Sequence, residues 1–172
     1  MSKRLLAVLI LSPVLALSLA GVTGLRYNRS ESMPAGIYRL VGGPPHKGDL
    51  VTCLPVTRAS RVPNPAFDLA VKRGYVRPGE PLLKKVVALE GDRISIGPAG
   101  VWVNGVPLPN SRPLECDGAR RPLPQVVLSD YPLQPGEVLL MSDYSAQSFD
   151  GRYFGPIPKA LIQSVVRSVW TW

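Results

Sequence analysis

The first part of the chain is a continuous apolar segment. No charged residue occurs from position 5 to position 25, and this stretch is preceded by Lys3 and Arg4 and followed by Arg26. At a helical rise of about 1.5 Å per residue, it spans about 30 Å, the thickness of the hydrocarbon core of a bilayer. Because positive charge stays in the cytoplasm, the pattern predicts a transmembrane helix that leads the remaining chain out of the cytoplasm. The alternative is a cleaved secretory signal, since residues 18–20 have the small-x-small form of a cleavage site.

Beyond this segment, the apolar residues occur in short stretches separated by Gly and Pro, which is typical of β-strands. The turn at Asn104-Gly105 favours a tight hairpin, because both residues tolerate positive φ. The sequence also predicts a hairpin-type pair of strands over 36–42 and 49–55, two strands within 81–96, and closing strands over 137–143 and 160–172.

One helix is predicted, and one long stretch has no regular pattern. Asn64 is a capping residue, Pro65 suits the first helical position, and Gly74 favours the end of the helix. Residues 107–135 are rich in proline and lack periodicity. We expect them to form an irregular excursion on the surface, which Cys116 could pin.

Composition supports a mainly β fold. The 172 residues include 19 prolines and 16 glycines, which suit a domain with many turns better than a helical bundle. We therefore predict a mainly β domain over 27–172 with one short helix, preceded by a membrane anchor or signal segment over 1–26. A chain of this length leaves little room for a second large domain.

The net charge of +8 is spread along the chain, and no run of five or more Lys or Arg residues occurs. A basic composition without such a run is weak evidence for nucleic-acid binding. The sequence instead favours contact with the anionic headgroups of a membrane.

The few histidines and cysteines restrict the possible cofactor chemistry. His46 is the only histidine, and no CxxC or HExxH spacing occurs, so we predict neither a metal site nor a cofactor. Outside the cytoplasm, Cys53 and Cys116 could form a disulfide or remain as two thiols. The sequence leaves both alternatives open.

A catalytic serine in this chain would need a base other than histidine, because His46 lies alone in a Gly- and Pro-rich loop. A lysine can serve if burial lowers its pKa, since a solvated ammonium cannot accept a proton. Lys84 and Lys85 interrupt an apolar strand and point to opposite faces of it. Periodicity does not choose between them, and a pair of lysines that protects an edge strand is an equal alternative.

Three segments resemble the signature segments of type I signal peptidases, in the same order and after the same kind of N-terminal segment. They are SESMPAGIY, LLKKVVALEGDRI and SDYSAQSFDGRYFGPIP. The form Ser-x-Pro-x-Gly-x-Tyr, from Ser32 to Tyr38, is closest to the TraF-type conjugative-transfer peptidases. The resemblance implies a signal-peptidase-like β-barrel or coiled antiparallel sheets.

The resemblance also implies a place for seven residues. Ser32 would be the nucleophile and Lys84 the general base, with Lys85 in the place of a second basic residue. Ser30 would be a hydrogen-bond donor to the oxyanion, and Ser148 would orient the lysine. Asp150 and Arg152 would form a structural ion pair. On a strand, the spacing of the last two would put them on one face. Glu90, which stands where the leader peptidases often have a proline, and the form of the third segment favour the conjugative branch.

By this resemblance the chain would be a serine endopeptidase with a Ser-Lys dyad that matures an exported propilin-like substrate, by hydrolysis or by cyclisation of the product. It would act from the inner membrane with its catalytic domain in the periplasm, or as a periplasmic protein after signal cleavage, beside other conjugative transfer proteins. The alternatives are a general leader peptidase and a non-catalytic assembly protein of a pilus or secretion machine.

Overall fold

The computed structural model describes residues 24–56 and 64–172. Most of the predicted N-terminal segment, residues 1–23, lies outside the described residues. Strand β1 begins at Leu25, before the boundary at residue 26 that the sequence predicts. In the described ranges, no helix has the length and apolar character needed to cross a membrane.

Two antiparallel sheets form the domain. The larger has seven strands in the order β1-β2-β11-β3-β4-β9-β10, and the smaller has four in the order β7-β6-β5-β8. The strands are β1 Leu25–Asn28, β2 Gly36–Val41, β3 Leu50–Cys53, β4 Leu82–Leu89, β5 Arg93–Gly97, β6 Gly100–Val103, β7 Val106–Pro107, β8 Leu128–Pro132, β9 Glu137–Met141, β10 Ile157–Pro158 and β11 Ile162–Thr171. The predicted mainly β class is confirmed, as is the hairpin at Asn104-Gly105, which joins β6 to β7.

The prediction that 36–42 and 49–55 pair with each other is wrong. Strand β11 lies between β2 and β3 and pairs with both of them. The short, turn-rich connection between β2 and β3 suggested a hairpin. The long C-terminal strand instead pairs with the edge of each strand that would have faced the other. Residues 165–171 pair with β2 and residues 162–166 with β3, so Val165 and Val166 pair with both.

The prediction that 107–135 is irregular throughout is also wrong at its end. Strand β8 pairs with β5, with Ile94 opposite Tyr131. Periodicity did not predict β8, because most of its residues are exposed. Polar contacts hold the strand: Ser95 accepts the N–H of Asp130 at 3.0 Å, and Arg93 Nε donates to the Asp130 carboxylate at 2.6 Å.

Helix α1 covers Pro65–Arg73 as the capping signals predict. The Asn64 side chain accepts the N–H of Ala66 at 2.9 Å, and Gly74 ends the helix with φ of 78°. Two further short elements were not predicted, helix α2 at Gly151–Phe154 and a 3₁₀ turn at Lys159–Leu161. Each has too few residues to show a helical period.

The core lies on both faces of the long central strands. One cluster packs α1 and α2 against β3, β4, β9 and β11, and a second lies between β4, β9 and the smaller sheet. A third, smaller cluster joins Met33 and Tyr38 to Leu83 and Val166. Strand β4 contributes to all three clusters, so its side chains have fixed positions.

Candidate active site

The turn from residue 29 to residue 35 joins β1 to β2 and carries Ser32. Met33 is buried, and the Tyr38 hydroxyl donates to the Pro34 carbonyl at 2.7 Å. At Gly36 a Cβ atom would lie 2.2 Å from the Trp170 carbonyl oxygen, so only glycine allows β11 to approach here. Packing on both sides of Ser32 therefore fixes the turn, while Ser32 itself stays partly exposed.

Lys84 lies in the middle of β4, directly opposite Val51, and is only 2% exposed. Its Nζ donates to Ser148 Oγ at 3.0 Å. Burial lowers the pKa of the amine, while the negative charge of Asp150 raises it by a smaller amount. Burial also raises the pKa of the neighbouring Cys53 thiol to about 12. A lowered pKa makes the uncharged form, which a general base requires, more accessible than in a solvated lysine.

Lys85 has a different environment on the opposite face of the strand. Its side chain is about one-third exposed, with 34% accessible, and its Nζ lies 2.6 Å from Asp143 Oδ2. Burial therefore distinguishes the two lysines, which the alternation of apolar residues could not do.

Asp150 and Arg152 form an ion pair with both side chains fully buried, and Arg152 Nε lies 2.8 Å from Asp150 Oδ1. The pair does not lie on a strand face as the spacing suggested. Asp150 is the N-cap of α2, and its side chain accepts the N–H of Arg152 at 3.2 Å. Within the first helical turn, a cap and the second helical residue are close enough to pair.

The Arg152 guanidinium also organises the loops near Lys84. It donates to the carbonyl oxygens of Asn110 at 2.7 Å, Ala146 at 3.0 Å and Ser142 at 3.0 Å. The described part of the chain has no buried side-chain nitrogen or oxygen without a partner. The ion pair therefore holds both the helix that follows Ser148 and the loop that precedes it.

Ser142 connects this network to the turn that carries Ser32. It is fully buried and directly follows β9, where Met141 lies opposite Lys85. Its N–H donates to Asp150 Oδ2 at 2.9 Å, and its hydroxyl donates to the carbonyl oxygen of Ser32. The sequence analysis missed Ser142, although it lies within the third signature segment.

Ser30 lies at the start of the same turn and is exposed. Its hydroxyl donates to Asn28 Oδ1 at 2.8 Å. Asn28 was not singled out from the sequence, because an Asn at the end of an apolar strand is an ordinary turn signal.

An open groove of about 1380 Å³ contains Ser30, Ser32 and Lys84 along its wall. Tyr75 and Asp117 also line the groove, and the Tyr75 hydroxyl donates to the Asp117 carboxylate. The three sequence-predicted residues therefore share a cleft that is large enough for an extended peptide segment.

The described ranges contain no group of His, Cys, Asp and Glu that could hold a metal ion. Cys53 is buried and Cys116 is exposed, and both are free thiols. Of the two alternatives that the sequence left open, the structure has the unpaired one.

The profile of the family described as signal peptidase, peptidase S26, matches residues 2–172 of the chain. The chain belongs to this family and is of the signal-peptidase type. It is 41% identical to the plasmid transfer protein TraF of Escherichia coli over 179 residues, which cover 99% of this chain and 97% of that protein. It is 34% identical to the conjugal transfer protein TraF of Agrobacterium fabrum, covering 100% of this chain and 99% of the relative. The resemblance to TraF-type members is confirmed.

Among solved structures, the chain is similar to a signal peptidase I from Enterococcus faecalis. The TM-score is 0.41 and the sequence identity 16%, and the match covers 73% of this chain and 98% of that chain.

Proposed function

We propose that the protein is a serine endopeptidase in which Ser32 is the nucleophile and Lys84 the general base. The observation that carries the proposal is the buried Lys84 amine, which hydrogen-bonds to Ser148 and lines the same groove as Ser32. Burial provides the uncharged amine that can take the serine proton, and Ser148 holds that amine in place. The Ser142 hydroxyl holds the carbonyl of Ser32 at the end of β9.

In the proposed reaction, Lys84 Nζ accepts the proton of the Ser32 hydroxyl as Oγ attacks a peptide carbonyl. The resulting oxyanion would be stabilised by the Ser32 N–H and the Ser30 hydroxyl. Collapse of this intermediate expels the amine, which takes the proton from Lys84, and leaves an ester on Ser32. Water then releases a linear product, or an amine of the same substrate attacks the ester and closes a ring.

The substrate in this proposal is an exported precursor of pilin type, cleaved in the course of conjugative transfer. The names of the TraF relatives support a role in transfer, and the groove suits an extended segment of chain. Incubating the purified protein with a candidate propilin, with Ser32→Ala as control, tests the proposal by mass spectrometry. The expected product is either the cut fragment or a species lighter by one water, the mass of a ring. A precursor that stays unchanged with the wild-type protein would contradict the proposal.

A cleavage assay and a transfer assay separate the alternatives. Cleavage of many ordinary secretory precursors at rates similar to the propilin would favour a general leader peptidase. Transfer that persists undiminished in cells carrying only Ser32→Ala would favour a non-catalytic assembly protein. Loss of transfer with that variant supports the peptidase.

We also propose that the catalytic domain lies on the periplasmic surface of the inner membrane. One face of strands β1, β2 and β11 supports this position. Tyr27 and Trp170 both lie opposite Ile37 and are 60% and 66% exposed. On the same face, Arg39 lies directly opposite Arg167, and the described residues provide no carboxylate partner for either guanidinium.

Two like charges directly opposite each other on a sheet disfavour the strand pairing. Anionic headgroups would relieve this repulsion, and each basic residue near such a surface contributes about 1 kcal/mol to binding. Tyr and Trp side chains prefer the boundary between lipid and water. Strand β1 also continues directly from the apolar segment at 5–25, so this face would lie close to the point where the chain leaves the bilayer.

A further inference from the structure

The side chain of Asn28 connects both arms of the turn that carries Ser32. Its Nδ2 donates to the carbonyl oxygens of Met33 at 3.1 Å and Pro34 at 3.0 Å, with a longer contact of 3.3 Å to the carbonyl of Ser30. Its Oδ1 accepts the N–H of Ser30 at 3.1 Å and the hydroxyl of Ser30 at 2.8 Å. One amide therefore bonds to residues on both sides of the nucleophile.

Asn28 is itself held in place. It is the last residue of β1 and lies opposite Gly36, the first residue of β2. That pairing closes the base of the turn, while the Asn28 amide fills its interior. An amide is suited to this position because it provides two donors and an acceptor in one rigid plane. A carboxylate keeps only the acceptor, and an apolar side chain has neither.

The turn is also held from outside, because Ser142 donates to the carbonyl of Ser32. Asn28 and Ser142 together fix the peptide groups before and after the nucleophile. Within the described ranges, the N–H of Ser32 donates to no protein acceptor. No other group of the described residues engages this N–H, so it can donate to an oxyanion.

The Ser30 hydroxyl has one proton, and in this structure Asn28 Oδ1 accepts it. To donate to an oxyanion, the same proton has to leave Asn28. A charged oxygen is a stronger acceptor than an amide oxygen, so the exchange becomes favourable once the negative charge develops. The N–H of Ser30 keeps its bond to Asn28 meanwhile, so the residue stays in position.

We infer that Asn28 is a positioning residue for the reaction, which fixes the turn around Ser32 and holds the Ser30 hydroxyl ready until the oxyanion forms. This inference rests on the proposed function. It predicts two separable contributions. The bonds from Nδ2 set the geometry of the nucleophile, and the bond to Oδ1 sets the availability of the second oxyanion donor.

Asn28→Asp removes the donors and keeps an acceptor, whereas Asn28→Ala removes both. In Asn28→Asp the Ser30 N–H keeps its acceptor, but the donors to Met33 and Pro34 are lost and the carboxylate retains the Ser30 proton more strongly. We expect kcat to fall by about 100-fold in each variant, the scale of a misplaced nucleophile or a lost oxyanion donor. KM should change by less than about twofold, because the lost interactions act in the transition state.

Ser30→Ala provides the second comparison. If Asn28 acts partly through the Ser30 hydroxyl, Asn28→Asp costs less activity in the Ser30→Ala background than in the wild type. A merely structural role for Asn28 would give the same loss in both backgrounds. The matched control is Asn64→Asp, which makes the same chemical change at the cap of α1 and removes the donor to the Phe154 carbonyl.

The experiment uses the full chain in detergent with a quenched fluorescent peptide that carries Ala-X-Ala before the scissile bond, the small-x-small form of export signals. Thermal unfolding of every variant is recorded alongside. The expected result is a low kcat for Asn28→Asp in a folded protein, with Asn64→Asp close to the wild type and Ser32→Ala inactive. Wild-type kcat in Asn28→Asp, with Ser32→Ala inactive, would overturn the role of Asn28 alone. Undiminished cleavage by Ser32→Ala would overturn the proposed function, and this inference with it. Should Asn28→Ala fail to fold, Asn28→Asp decides.

Discussion

Lys84 Nζ and Ser148 Oγ lie 3.0 Å apart in a part of the domain that excludes solvent. The two residues come from distant parts of the chain, the central strand β4 and the loop before α2. Because Ser148 directly precedes the Phe149-Asp150 step into α2, the buried ion pair that begins this helix also fixes the partner of the lysine. The catalytic proposal depends on this arrangement, since an amine without water around it needs another group to orient it.

The first prediction concerns the two adjacent lysines. Lys84→Met removes the buried base and should reduce peptide cleavage to background, because no other amine lies in that position. Lys85→Met removes only a partly exposed pair with Asp143, so it should leave most of the activity. The rate of cleavage of the quenched peptide measures both. Equal loss in the two variants would show that the base is assigned to the wrong lysine.

Lys84→Met should also change the pH dependence of the free energy of unfolding. Burial lowers the pKa of Lys84 in the folded protein from its ordinary value of 10.5. Between the folded and unfolded pKa values, the unfolded chain binds more protons, so the free energy of unfolding rises with pH through that interval. Below it, the buried charge destabilises the fold. Lys84→Met should therefore be more stable than the wild type near neutral pH. Its free energy of unfolding should rise less with pH.

Urea unfolding at a series of pH values between neutral and alkaline checks this prediction, with Lys85→Met as the matched control. The control should keep the wild-type slope. A slope in Lys84→Met that equals the wild-type slope would mean that another group causes it.

The ion pair of Asp150 and Arg152 should be important for stability. Arg152→Met leaves the Asp150 carboxylate buried without its partner and deprives several loop carbonyls of their donor. Breaking a buried pair in this way costs about 3–5 kcal/mol of unfolding free energy. The exposed pair of Arg93 and Asp130 is the control, because solvent screens it, so Arg93→Met should have a far smaller effect. Urea titration that gives equal losses would contradict the structural role of the buried pair.

The basic and aromatic face of β1, β2 and β11 predicts a direct contact between tryptophan and lipid. In vesicles of phosphatidylglycerol and phosphatidylcholine, brominated lipid should quench the fluorescence of the reconstituted full chain. Trp170→Phe should remove much of the quenched emission. Trp102→Phe, in the smaller sheet, serves as control and should preserve the quenching. Quenching that does not depend on Trp170 would place the face away from the bilayer.

Local signals in the sequence predict some parts of the structure and not others. The cap at Asn64 and the turn at Asn104-Gly105 depend on neighbouring residues, so both were predicted from a few letters. The place of β11 between β2 and β3 depends on pairing across more than a hundred residues, and no local pattern records it. Strand β8 was missed because polar contacts hold it in place of an apolar stripe.

The candidate site shows the same division. The alternation of side chains along a strand predicted that Lys84 and Lys85 point to opposite faces. It did not predict which face is shielded from solvent, because both faces carry apolar neighbours. The family resemblance favoured Lys84, and burial in the folded chain distinguishes the two. Asn28 and Ser142 donate to backbone carbonyls of the turn that carries Ser32. Such contacts exist only once the turn is folded, so residue types and spacing did not indicate them.

The protonation of Lys84 tests the central claim most directly. In the full chain with Ser32→Ala, labelled at the lysine side chains, NMR spectroscopy of the Cε and Nζ resonances follows each amine through a pH titration, and Lys84→Met identifies the signal. The account predicts that Lys84 loses its proton at a pH below its ordinary pKa of 10.5. Titration of Lys84 at or above that value would contradict it.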